Sequence, residues 1–120
     1  MGMIASEPFE SETRTADPDN TSSVDMQAKG VKKVIATLQV TANSGGSADQ
    51  TLDVKAQDSD NGSDWRDLEE GTFEQVNQNY PIPHRSTIQF VPKRQYLRWT
   101  AAHGGTTKSA TWQLGTVYHT

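Results

Sequence analysis

The sequence predicts an all-β chain, folded as a two-sheet antiparallel β-sandwich of about eight strands, with the jelly roll among the arrangements open to it. Three observations predict it. Leu52, Val54 and Ala56 alternate with Asp53, Lys55 and Gln57; Leu97, Trp99 and Ala101 alternate with polar neighbours up to His103-Gly104-Gly105; and Ala110, Trp112 and Leu114 alternate beyond that turn. Period-two alternation turns one set of side chains to a buried face and the other to water, as in an antiparallel sheet with one wet face.

The elements follow in order. Residues 1–22 are rich in Ser, Thr, Glu, Asp and Pro and show almost no hydrophobic periodicity. They are expected to form a flexible acidic N-terminal arm, with Ile4 and Phe9 as its apolar residues; the sandwich itself is expected over 23–120. Val24, Met26 and Ala28 alternate before a turn at Lys29-Gly30, and Val34, Ala36, Leu38 and Val40 form the next strand. The run Asn43-Ser44-Gly45-Gly46-Ser47 signals a turn before the strand through Leu52.

Asp58 to Asp64 is then a hairpin turn leading to a strand from Trp65 to Leu68. A turn at Glu70-Gly71 and a strand over Phe73 to Val76 come next, and Pro81 and Pro83 mark 77–85 as a longer connection. Ile88 and Phe90 alternate in the strand from Ser86 to Val91, and 96–118 reads as a closing hairpin. No window sustains the i, i+3, i+4 spacing of an amphipathic helix, and no repeat of fixed period is present.

Composition bounds the rest. A chain of 120 residues is one domain's worth, and 32% hydrophobic content with a mean hydropathy of −0.75 leaves a thin core. The three Trp, three Tyr and three Phe are expected to supply much of it. The absence of cysteine removes disulfides, thiol nucleophiles and cysteine-ligated metals, and fits a chain made in a reducing cytosol.

No apolar run has the length of a membrane span or signal-peptide core. Met1-Gly2-Met3-Ile4-Ala5-Ser6 fits the loose N-myristoylation pattern, and Asn20-Thr21-Ser22 and Asn61-Gly62-Ser63 fit glycosylation sequons. All three are patterns that polar segments generate freely. Six acids against Arg14 and Lys29 make residues 1–30 acidic, while nine acids and nine bases leave 31–120 neutral. That balance argues against nucleic acid, whose binders cluster Lys and Arg to displace counterions. Lys32-Lys33 and Lys93, Arg94 and Arg98 are expected to flank strands.

Few residues suggest chemistry. Asp58, Asp60 and Asp64 have the two-residue spacing that opens a calcium loop. Gly62, however, falls where a third ligand belongs, and Glu69, at the twelfth position, follows a strand; a solvated turn is the expectation. His84, His103 and His119 are far apart, lack any HxxxH pairing, and are expected to be solvent-exposed and polar. No serine stands in a GxSxG elbow, and Gly45-Gly46 and Gly104-Gly105 lack the strand–turn–helix setting of a phosphate cradle. Glu69-Glu70 lie beside a turn with nothing to part their proton affinities. Trp99 and Trp112 are in phase with buried positions, and Trp65 is expected to pack across a sheet edge. No catalytic, cofactor or metal residue is therefore assigned, and the expectation is a protein that is not an enzyme and holds no cofactor.

Several segments in order resemble a family of small tailed-bacteriophage virion proteins. They are Val24-Asp25-Met26 with the Lys29-Gly30 turn; Thr37 to Ala42 ending at Gly45-Gly46; Leu52 to Gln57 followed by Asp58-Ser59-Asp60-Asn61-Gly62 and Trp65-Arg66-Asp67-Leu68; and Gln95-Tyr96-Leu97-Arg98-Trp99 with Gly104-Gly105. The resemblance covers about residues 23–120 and implies a structural protein of the phage head, of the capsid decoration (cement) type. On that reading the partners are the major capsid protein and further copies of the chain, as a symmetric oligomer such as a trimer, with neither nucleic acid nor membrane. The location implied is the virion's capsid surface after synthesis in the host cytoplasm. Deleting residues 1–22 is then expected to leave the sandwich folded and weaken attachment. Two alternatives stand beside it: a carbohydrate-binding sandwich module, calcium-assisted through Asp58, Asp60 and Asp64, and a phage tail or head–tail adaptor component.

Overall fold

A computed structural model describes residues 2–43 and 45–120. Met1, which opens the myristoylation-like pattern, and Ser44 of the 43–47 turn lie outside the described residues. Among the described residues there are nine strands: β1 (Met3–Arg14), β2 (Val24–Asp25), β3 (Lys33–Ala42), β4 (Thr51–Ser59), β5 (Arg66–Thr72), β6 (Val76–Asn77), β7 (His84–Phe90), β8 (Tyr96–Gly104) and β9 (Ala110–His119). No described residue is helical.

Two antiparallel sheets face each other, in the orders β1-β9-β3-β7 and β2-β8-β4-β5, with β6 paired to β4. Only the β4–β5–β6 run stays within one sheet; every other connection crosses to the opposite layer. Those crossovers make the sandwich a jelly roll. Alternation explains the core. On one layer Val34, Ala36, Leu38, Val40, Trp112 and Leu114 point inward, and on the other Leu52, Val54, Ala56, Leu97 and Trp99 meet them. Phe73 and Phe90 flank the Trp99 ring at 6.2 and 6.1 Å between centroids, and Phe9 meets Trp112 edge-on at 5.1 Å.

Four expectations are corrected. The segment read as a flexible arm contains β1, the longest strand, which pairs with β9 from Met3↔His119 to Arg14↔Ala110. Its register shifts between Ser6 and Phe9 and again between Phe9 and Glu12, so it shows no period-two pattern although it lies in the sheet. Pro8 sits between the first pair, tolerable because β1 is an edge strand with one side unpaired. Bulges, Pro8 and the exposed Glu7, Glu10 and Glu12 together blunt that edge against further pairing.

Second, 96–118 is not a hairpin. β8 pairs with β2 and β4, whereas β9 pairs with β1 and β3. Alternation reports which face of a strand is buried; it says nothing about whether the next strand lies beside it or across the core. The 52–68 stretch is a hairpin, with Gln57↔Asp67 and Asp58↔Arg66 in register.

Third, Glu70-Gly71 is not a turn. Both residues lie within β5, and Gly71 is buried so close to β4 that a Cβ there would stand 2.7 Å from that of Ala56. Fourth, the strand expected over Phe73 to Val76 begins only at Val76, as β6, and the strand expected from Ser86 begins at His84.

Candidate functional site

The acidic turn between β4 and β5 closes on itself. The Ser59 hydroxyl, buried at the strand end, accepts the amides of Asn61 (3.2 Å) and Gly62 (2.9 Å). Asn61 Oδ1 accepts the amides of Ser63 and Asp64, and its Nδ2 donates to Asp64 Oδ2 at 2.9 Å. Gly62 supplies the left-handed position, φ 78°. These are the internal bonds of a polar turn.

The three carboxylates singled out from sequence do not converge. Asp58 points inward and is 6% exposed, with Oδ1 3.6 Å from Arg66 Nε and 3.5 Å from Arg94 Nε. Asp60 accepts from Arg94 Nη1 at 2.6 Å, and Asp64 is tied to Asn61. Two arginines thus balance two acids, and both arginines line a recess of about 220 Å3 together with Asp60 and Asp64. Burial raises the Asp58 carboxyl above its ordinary proton affinity, with Arg94 opposing the shift. Among the described residues no three His, Cys, Asp or Glu side chains stand together as a metal set.

The histidines are likewise apart. His84 stacks against Tyr80 at 5.2 Å, and His119 is half-buried at the end of β9. His103 departs from the expectation: it is buried on β8, and its Nε2 accepts the indole N–H of Trp112 at 3.0 Å. Burial lowers the imidazole's proton affinity. The signal was present in the sequence, because residue 103 shares the odd-numbered phase of Leu97, Trp99 and Ala101.

Trp99 and Trp112 are buried, as their phase required. Trp65 is half-buried with the Arg98 guanidinium 4.4 Å from its ring centroid, so one face of the ring is occupied. The basic cluster is paired off: Lys93 to Glu70 at 3.2 Å, Arg94 to Asp58 and Asp60, and Arg98 to Gln57 at 2.9 Å. Glu69 and Glu70 are exposed, and hydrogen bonding and Lys93 lower the Glu70 carboxyl's proton affinity rather than raise it as an acid catalyst requires.

The outward faces of the two sheets differ sharply, which the sequence reading missed. On β2-β8-β4-β5 charged groups form a closed set: Arg98 donates to Gln57, Gln57 and Lys55 donate to Asp67, and Gln75 donates to Asp53. On β1-β9-β3-β7 the outward residues in the middle of β3 and β9 are uncharged, and charge stands at the margins: Arg85 on β7 lies opposite Gln39, Lys33 opens β3, and Glu7, Glu10 and Glu12 are exposed on β1. Ile35 lies opposite Val117, Thr37 stands between Gly115 and Thr87, and Gln39 lies opposite Gln113. Its polar groups satisfy one another sideways, Thr37 with Thr87 at 3.1 Å, Gln113 with Gln39 at 3.3 Å, and Thr13 with Thr111 at 2.6 Å. Gly115 leaves a dimple at the centre, where a Cβ would meet nothing within 4 Å.

No protein-family model matches the chain, and no curated protein matches it. Similar solved structures include Eiger TNF from S. frugiperda, at 8% identity over 98% of this chain and 92% of that one, with a TM-score of 0.47. They also include the EclA C-terminal domain, a sugar-binding protein (9% identity, 98% and 79% coverage, TM-score 0.40). A third is chitosan-binding module 1 of a chitosanase/glucanase from Paenibacillus sp. IK-5 (13% identity, 94% and 92% coverage, TM-score 0.29). Likenesses of this size carry nothing about function.

Proposed function

We propose that the protein is a non-enzymatic structural module of a bacteriophage virion, a decoration protein that self-associates through the outer face of β1-β9-β3-β7 and attaches to the capsid surface. The carrying observation is the contrast between the two outer faces. A symmetric contact brings like surface to like surface, so a patch bearing one kind of charge repels itself, while the uncharged, laterally hydrogen-bonded middle of β3 and β9 loses little on desolvation and leaves Arg85 and the β1 glutamates at its rim. The opposite face is already committed to its own hydrogen bonds and to the Lys55–Asp67 ion pair. Several copies in one oligomer would give avidity to individually small capsid contacts. The virion setting is supported by the sequence resemblance over residues 23–120.

The test has two arms. Solution mass should show an oligomer for the wild type and a monomer for Gly115→Arg and Thr37→Arg, both still unfolding in one cooperative transition with a midpoint lowered only by the lost association; a monomeric wild type rejects self-association. Co-sedimentation with purified phage heads addresses attachment, and an oligomer that ignores heads rejects decoration alone.

The carbohydrate-binding reading keeps one foothold, the half-buried Trp65 beside the polar row of Arg98, Gln57 and Asp67. Quenching of tryptophan fluorescence by soluble glycans, lost in Trp65→Ala, would favour it over assembly.

A further inference from the structure

Residues 15–23 cross from β1 to β2 and so pass from one sheet to the other. Three hydrogen bonds to β8 hold the crossover down. Thr21 N–H donates to Trp99 O at 3.0 Å, Thr21 Oγ1 accepts Trp99 N–H at 2.8 Å, and Asp17 Oδ1 accepts His103 N–H at 2.6 Å. Its packing is otherwise loose, since recesses of about 300 and 250 Å3 open against it, both reaching Thr21.

The larger recess is lined by Arg14 together with Pro18 to Thr21, and Arg14 belongs to a stacked set contributed by three strands. Arg14, at the end of β1, places its guanidinium 4.1 Å from the Trp112 ring centroid and donates to the carbonyls of Trp112 (2.8 Å) and Glu10 (2.6 Å). Trp112 in turn donates to His103 Nε2. That bond requires an unprotonated Nε2, which places the imidazole proton on Nδ1, a buried atom with no partner. The ring is thus held neutral by geometry.

We infer that the crossover is an acid-sensitive clasp: protonation of His103 breaks its contact with Trp112 and frees residues 15–22 from β8, while both sheets stay folded. Adding a proton to Nε2 would set two N–H groups against each other at 3.0 Å. The charges around the ring oppose the new cation. Arg14 faces it from β1, screened in part by Glu12 at 3.4 Å, and Lys108 from the β8–β9 connection. Asp17, on the crossover, is the only acid among the groups acting on it, and it weighs less than the burial.

The sign follows. The closed form binds its proton more weakly than an open imidazole, whose ordinary pKa is 6.5. Closure is therefore complete above that value and weakens as pH falls below it, by at most about tenfold per pH unit for one proton.

The test is amide hydrogen exchange on the full chain at about pH 7.5 and about pH 5, corrected for intrinsic rates, in the wild type and in His103→Gln. A glutamine oxygen accepts the Trp112 N–H and does not titrate. Wild-type protection at the amides of Thr21, Trp99 and His103, the three held by the crossover's bonds, should drop about tenfold or more at the lower pH, with β3 and β9 unchanged. The variant should show no such drop. Constant wild-type protection, an equal drop in His103→Gln, or uniform loss across both sheets would overturn the clasp. Should the variant fail to fold, proton NMR titration of the wild-type ring decides: an imidazole titrating at or above its ordinary value, with the crossover protected, overturns it as well.

Discussion

The carboxylate of Asp58 lies 3.5 Å from Nε of Arg94 on the floor of the β4–β5 turn, and burial outweighs that pairing in setting its proton affinity. A carboxyl that binds its proton more tightly folded than unfolded favours the fold at low pH. That contribution is lost as pH rises from the ordinary value of 3.8 through the raised one. Asp58→Asn should therefore cost nothing at pH 7 and raise the thermal midpoint by a few degrees, about 1 kcal/mol at most. The gap should close as pH falls below the ordinary value. Arg94→Met should cost roughly 2 kcal/mol, because Asp58 keeps only the exposed Arg66. Asp49 supplies the internal control with the opposite sign. Ser47 and Thr106 hydrogen bonds hold its carboxyl at about 2, so Asp49→Asn should be harmful at neutral pH, with the harm fading as pH falls from the ordinary 3.8 through about 2. Midpoints across pH for all three variants check the set, and a destabilised Asp58→Asn at pH 7 contradicts it.

The N-terminal strand gives a second prediction, and it reverses the expectation drawn from composition. Phe9 is buried against Trp112, Arg14 covers that indole's face, and β1 pairs along most of β9. Removing residues 1–22 uncovers an edge of the sheet and part of the core, so the truncated chain should lose its cooperative unfolding transition or fail to express in soluble form. Phe9→Ala should cost about 3 kcal/mol by the loss of buried aromatic packing. Denaturant titration followed by tryptophan emission reads both. A truncated chain with the wild-type midpoint would restore the detachable arm.

What the sequence disclosed, and what it hid, follows from the kind of information that alternation carries. Strands with two unlike faces, such as β3, β4, β8 and β9, were legible because Val, Leu and Trp recur at every second position. β1 was not, because its register slips on either side of Phe9 and its hold on β9 comes from backbone bonds that any residue can make. Partner choice was also hidden: Trp99 and Trp112 read alike, yet they belong to opposite layers. His103 was readable by phase, and the general expectation that histidines lie in water overrode it. The uncharged centre of that outer face depends on register across strands distant in sequence, so Thr37, Thr87 and Gly115 could not be joined until the sheet was known.

Two glycines with opposite surroundings close the case for the arched connection after β8. Gly105 has φ +115°, and a Cβ there would lie 2.8 Å from Gln50 Cα and 3.2 Å from Asp49 O. Both contacts are backbone, which cannot swing aside as a side-chain tip can. Gly105→Ala should therefore cost about 2–3 kcal/mol, combining conformational strain with steric clash between the two loops that bridge the layers. Gly115 has open space at its Cβ, and Gly115→Ala should be neutral or stabilise by a few tenths of a kcal/mol, about what removing a glycine from a strand returns. Urea midpoints for the pair test this directly. Equal midpoints would mean that the 105 connection tolerates a side chain, and that the close approach to Gln50 is not what fixes the arch.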